Sequence, residues 1–290
     1  MNKGIYTALV TPFDDNNEID FISLAKILDK QISAKVAGIV VCGTTAESPT
    51  LAAQEKEKLI DFCVAYAKPE LEIWVGCGTN NTKTTIEELE VLNKKGIDGV
   101  LLSLPCYNKP NFLGLKKHIE LCCTTSEHPI MLYNIPSRSG LKLSAAQLVE
   151  LCQNKKIVAI KEASGNMELF FELVQKLPKV MIFSGNDPQF LMSLKLGSSG
   201  IVSVASNLFP RILNQIFVAH CSGLNMAAQK GFLHILPLLE ALFVETNPVP
   251  IKYALEKFGL CSCSVRLPLG PLCNESMQKI DEVLLKLKNK

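Results

Sequence analysis

Eight short runs of β-branched and apolar residues, each followed by a helix-like stretch, constrain this chain more than any other feature. They lie at residues 4–10, 38–42, 72–77, 99–104, 129–134, 157–161, 180–184 and 200–204. The stretches between them, such as 20–34, 52–67, 84–95 and 144–152, carry apolar residues at helical spacing and begin near Ser, Thr or Asp caps. Parallel strands need a crossover of about a dozen residues or more, and each connection here is long enough to hold one. Glycine enters several of the runs and polar residues leave them, which favours a closed α/β TIM (β/α)8 barrel over an open doubly wound sheet.

Beyond residue 212 the alternation stops, and only helix-like segments remain, with breaks expected at Gly223, Pro237, Asn247-Pro248 and residues 268–271. The expected organisation is a catalytic barrel over 1–212 and a C-terminal helical appendage over 213–290. No Gly/Ser-rich linker separates them, so the appendage is expected to pack on the barrel.

Composition narrows the functional classes. A chain of 290 residues can bury one large core, and its net charge of +2, with Lys and Arg interspersed among Asp and Glu, lacks the basic footprint of a nucleic-acid binder. The first ten residues lack the apolar stretch of a signal peptide, and no uncharged run approaches the ~20 residues of a membrane span. A cytoplasmic protein with neither nucleic-acid nor membrane partners is expected. The eleven cysteines sit mostly in apolar runs, and Cys122-Cys123 and Cys261-x-Cys263 have no second pair at ligand spacing. They read as reduced small hydrophobes, with no metal site expected. The four histidines are isolated, so no histidine triad is visible.

The chemistry concentrates at Lys161, which ends the apolar run Ile157-Val158-Ala159-Ile160. Desolvation disfavours an ammonium, so a buried lysine can fall from about 10.4 toward neutrality and condense with ketones. A snorkelling lysine, or one paired with Glu162, is the plainer alternative. In a barrel, catalytic side chains sit at the C-terminal strand ends. The second run exits into Gly43-Thr44-Thr45-Ala46-Glu47-Ser48, the fourth into Pro105-Cys106-Tyr107-Asn108, and the fifth into Tyr133-Asn134-Ile135-Pro136-Ser137-Arg138. Closed into one mouth, these supply an amine, two phenols, two hydroxyls, a guanidinium and turn amides. That set suits a carbonyl substrate carrying a carboxylate. Taken singly, Thr44 and Thr45 also suit a helix cap, Tyr107 and Tyr133 rim packing, Arg138 a surface charge, and Glu47 a structural acceptor. Gly76-Cys77-Gly78 lacks the third glycine of a dinucleotide loop, so no nucleotide site is assigned.

These motifs, together with Ala8-Leu9-Val10-Thr11-Pro12-Phe13, Lys161-Glu162-Ala163-Ser164-Gly165, Ser184-Gly185-Asn186-Asp187, Asn247-Pro248-Val249-Pro250-Ile251-Lys252 and Arg266-Leu267-Pro268, run nearly end to end. The chain resembles the pyruvate-dependent class I aldolase and lyase superfamily, which includes N-acetylneuraminate lyases and keto-deoxy sugar acid aldolases. Tandem Thr44-Thr45 and Arg138 resemble its dihydrodipicolinate synthase branch, whose reaction belongs to lysine and diaminopimelate biosynthesis.

The resemblance implies that Lys161 forms a Schiff base with pyruvate and that Tyr133 shuttles protons. Thr45 would bridge Tyr133 to Tyr107, the latter inserted from a neighbouring subunit of a homo-oligomer, by expectation a tetramer built as a dimer of dimers. Thr44 and Thr45 would hold the pyruvate carboxylate, Arg138 would bind that of L-aspartate 4-semialdehyde, and Gly185 and Val202 would line the pocket. No metal, nucleotide or redox cofactor is implied. A sibling sugar-acid aldolase and a silent pyruvate-binding regulator are the alternatives, the first needing no Arg138 and the second not needing an intact Lys161, Tyr133, Thr45 and Tyr107.

The chain departs from the family pattern in two places, one loop residue and one regulatory site. Ala46 replaces the usual glycine and is tolerable only if its backbone avoids a glycine-only conformation. Where relatives bind regulatory lysine, this chain carries Ala53, Lys56, Thr84 and Cys106, without the acid expected at 84. Weak or absent lysine feedback is therefore expected. Cys106 is read as an inert substitution for an aromatic, or as an alkylatable thiol.

Overall fold

The computed structural model describes residues 1–288. Eight parallel strands close into one barrel in sequence order: β1 (Gly4–Ala8), β2 (Gly38–Val41), β3 (Glu72–Cys77), β4 (Gly99–Ser103), β5 (Ile130–Asn134), β6 (Ile157–Glu162), β7 (Met181–Ser184) and β8 (Gly200–Ser203). Around them run α1 (Phe21–Ser33), α2 (Ala53–Ala67), α3 (Thr82–Leu92), α4 (Phe112–Thr125), the short α5 (Pro136–Ser139), α6 (Ala145–Leu151), α7 (Met167–Lys176), α8 (Phe190–Lys195) and α9 (Pro210–Cys221). The chain then adds α10 (Asn225–Ala241), α11 (Val249–Glu256) and α12 (Asn274–Lys288). Parallel pairing of β1 with β8, Thr7 opposite Ser203, closes the barrel.

Caps read in sequence hold helix starts. Asp20 accepts from the Ser23 amide at 3.0 Å, and Ser144 accepts from the Gln147 amide at 3.3 Å. Strand glycines make room for aromatic rings in the barrel. A Cβ on Gly38 would stand 2.7 Å from the Tyr6 ring, and one on Gly99 would collide with the Trp74 indole. Tyr6 meets Phe183 edge-on at 5.4 Å, and its hydroxyl donates to Glu72 at 2.7 Å. Trp74 Nε1 donates to the same carboxylate at 3.1 Å. This end of the barrel is thus plugged, leaving the opposite mouth for chemistry.

The helical region differs from expectation in one respect. α10 continues through Pro237, where a break was expected. A helix-interior proline costs about 3 kcal/mol, yet Ile235, Leu238 and Leu239 on both sides of it are fully buried and keep the helix continuous. α9 spans the line between residues 212 and 213 and packs on β1 and α1. α11 and α12 pack on one another, and α12 also packs on α10.

Candidate active site

Lys161 lies on β6 directly opposite Tyr133 of β5. Both are nearly enclosed, at 5% and 6% exposure. The lysine Nζ sits 4.2 Å from the centroid of the Tyr133 ring. Its neighbour Glu162 falls on the other face of the strand, as alternation requires. There its carboxylate accepts from Asn134 Nδ2 at 2.6 Å and the Ser164 amide at 2.6 Å. The alternative of a Lys161–Glu162 ion pair therefore fails. Burial raises the Glu162 carboxyl above its ordinary range, against these hydrogen bonds.

Gly185 leaves space for the lysine stem, because a Cβ there would stand 2.9 Å from Lys161 Cε. Val202 is buried on β8. Just beyond, the buried Asp187 accepts from the Ser203 hydroxyl and from the Val204 amide at 3.0 Å, tying the loop after β7 to the end of β8. Desolvation raises the Asp187 carboxyl, and the hydrogen bonds and nearby Lys161 ammonium oppose that rise.

Thr45 is buried in a tight turn, Thr44–Ala46, whose cap residue is Gly43. Its hydroxyl is no helix cap: Oγ1 accepts from Asn247 Nδ2 at 2.9 Å. Asn247 also accepts on its backbone carbonyl from Arg138 Nη2 at 3.1 Å, so one residue of the C-terminal region touches two site residues. Ala46 escapes the feared strain, since the left-handed backbone conformation falls one residue later, at Glu47 with φ 57°. Thr44, Tyr133 and Arg138 line a cavity of about 400 Å³ that also reaches Ser103, Leu101 and Ser139. Tyr107, with φ 72°, is 86% exposed and lies outside that lining. Among the described residues no hydrogen bond joins Thr45 to Tyr133 or Tyr107.

The same cavity extends to Lys56, Asn80, Glu88 and Cys106. Ala53 and Thr84 do not line it. Glu88, one helical turn beyond Thr84, places an acid here that the reading of position 84 alone missed, and its carboxylate pairs with Lys56 at 3.4 Å. Cys77 Sγ lies 3.5 Å from Glu88 as well. Burial pushes the Cys42 thiol up to about 12, which makes it a poor nucleophile. Among the described residues no group of three His, Cys, Asp or Glu side chains is placed to hold a metal ion, and no helix is long and apolar enough to cross a membrane.

A model of the dihydrodipicolinate synthetase family matches residues 1–287. The chain belongs to that family. It is 40% identical over 285 residues to the 4-hydroxy-tetrahydrodipicolinate synthase of Leptospira biflexa, covering 97% of each chain. It superposes with a TM-score of 0.97 on the 4-hydroxy-tetrahydrodipicolinate synthase structure from Methylacidiphilum fumariolicum SolV, at 38% identity, covering 100% of this chain and 97% of the other. A dihydrodipicolinate synthase from Cyanidioschyzon merolae, solved with lysine bound, gives a TM-score of 0.94 at 32% identity, covering 99% and 98%.

Glu47 is a structural acceptor, and its buried partner is remote in sequence. Its Oε1 lies 2.5 Å from Lys252 Nζ, and both side chains are 0% exposed. Lys252 is a lone charge inside the apolar stretch Val249-Pro250-Ile251-Lys252, the same signal that picked out Lys161.

Proposed function

We propose that this protein condenses pyruvate with L-aspartate 4-semialdehyde to give 4-hydroxy-tetrahydrodipicolinate, a lyase-type reaction of lysine and diaminopimelate biosynthesis. The observation that carries the reading is the enclosed Lys161 4.2 Å from the ring of Tyr133, which itself lines one cavity together with Thr44 and Arg138.

In this reading Lys161 Nζ attacks C2 of pyruvate, and loss of water gives the imine. Proton loss from C3 yields the enamine, with the imine nitrogen taking up the electron pair. No metal or organic cofactor is needed, because the lysine itself is the electron sink. The enamine carbon adds to the aldehyde carbon, whose oxygen is protonated. The substrate amine then attacks C2, and Lys161 leaves. Tyr133 moves the protons. The Thr44 and Thr45 amides hold the pyruvate carboxylate, Arg138 binds that of the semialdehyde, and Gly185 and Val202 shape the pocket wall.

Tyr107 completes a proton relay through Thr45 in a neighbouring subunit. Its exposed phenol, without a hydrogen-bond partner among the described residues of its own chain, supports that role. The assembly is a cytoplasmic homotetramer, a dimer of dimers. Sedimentation at assay concentration tests it, and an active monomer would remove Tyr107 from the relay.

Arg138→Ala is expected to raise the KM for the semialdehyde far more than that for pyruvate, because a charge-assisted bond is lost to one substrate only. Equal effects in steady-state kinetics would contradict the carboxylate assignment. L-lysine is expected to inhibit weakly. Glu88 is already engaged by Lys56, so an incoming ammonium must displace a like charge to gain a bond of about 1.5–3 kcal/mol, worth about tenfold or more in affinity. A low-micromolar Ki would overturn this.

A further inference from the structure

We infer that the buried Glu47–Lys252 ion pair is a positioning device for the substrate-binding turn Thr44–Ala46, making the C-terminal helical region part of the active site. The inference rests on the imine-forming reading given above and adds a role for residues outside the barrel.

Glu47 closes the turn that carries Thr44 and Thr45, and its left-handed backbone leaves that turn dependent on what anchors its side chain. Both carboxylate oxygens are used. Oε1 receives Lys252 Nζ at 2.5 Å and Oε2 receives the Arg266 amide at 2.8 Å. Lys252 in turn donates to the Ser264 carbonyl at 2.7 Å and stands 4.1 Å from the Phe13 ring centroid. The Arg266 guanidinium covers that ring at 4.3 Å and grips Glu55 at 2.6 and 2.8 Å. The carboxylate is thus held in two directions by two parts of the C-terminal region.

A second attachment lies five residues upstream. Asn247 donates to Thr45 Oγ1 at 2.9 Å and accepts from Arg138 at 3.1 Å. The short segment 247–252, which leads into α11, therefore acts as a splint: Lys252 holds Glu47 at the end of the turn, while Asn247 holds the Thr45 hydroxyl in its middle and the Arg138 guanidinium on α5. Because Asn247 spends its N–H on Thr45, the threonine keeps its own hydroxyl proton to donate toward the mouth. A buried ion pair is weak support for stability, since well-packed apolar substitutes often do as well, whereas its fixed geometry suits a registry role.

The test compares wild type with Glu47→Gln/Lys252→Met, in which both charges are removed so that neither is left buried alone, and with Lys252→Arg, which keeps the charge. Three quantities are read: thermal midpoint, the pyruvate concentration giving half-maximal borohydride trapping, and hydrogen exchange of the 44–47 amides. In the double variant the midpoint stays near wild type, half-maximal trapping needs about tenfold more pyruvate, trapping at saturation remains complete, and the amides exchange faster. Lys252→Arg should fall between the two. Wild-type half-saturation and exchange in a folded variant of either kind would overturn the inference. If pyruvate does not trap the wild type, the imine reading fails, and amide exchange still decides on the pair: faster exchange in the variants supports it and unchanged exchange overturns it.

Discussion

Lys161→Ala is expected to reduce turnover of pyruvate with L-aspartate 4-semialdehyde to the uncatalysed background. Every covalent step runs through that nitrogen. Lys56, the lysine among the residues lining the cavity, is engaged by Glu88 at 3.4 Å. The variant should fold, because alanine at the end of a strand removes a charge from a nearly enclosed site without leaving a partner unpaired. A coupled assay reads the loss, with circular dichroism as the control for folding. Substantial residual turnover would show that pyruvate reacts without a covalent lysine adduct.

Tyr133→Phe carries the second largest effect. The ring that packs 4.2 Å from the lysine Nζ is retained, so the enclosure and the cation–π contact survive while the phenolic proton is lost. General acid–base groups contribute about 10²- to 10⁴-fold, and kcat should fall by that order with trapping still possible on long incubation. The split between slow turnover and preserved adduct formation is the informative readout. An unchanged kcat would take Tyr133 out of proton transfer and leave it as packing.

Much of the architecture was legible in the chain because it rests on local periodicity. Every expected strand was found to within two residues of its observed ends, since short apolar and β-branched runs, four of them opened by glycine, are set by neighbours in sequence. Pro237 misled for the opposite reason: the buried residues flanking it, rather than the proline's own preference, decide that α10 continues. At the mouth, the strand-end rule brought Lys161 and Tyr133 together and put Thr44 and Arg138 on the cavity wall. Side chains whose partners are remote were not legible. Glu47 meets Lys252 across 205 positions and Asn247 meets Thr45 across 202. No spacing rule links such pairs, although a lone lysine in an apolar stretch marks one partner. Glu88 escaped notice because position 84 was read without the next turn of α3, where the acid actually reaches the cavity.

The central claim is that Lys161 is the covalent nucleophile, and the most direct test is borohydride reduction of the wild-type protein in the presence of pyruvate, followed by peptide mapping. The account predicts a single stoichiometric adduct on the peptide containing Lys161, absent without pyruvate. An unmodified Lys161, or an adduct carried by another lysine, would contradict it.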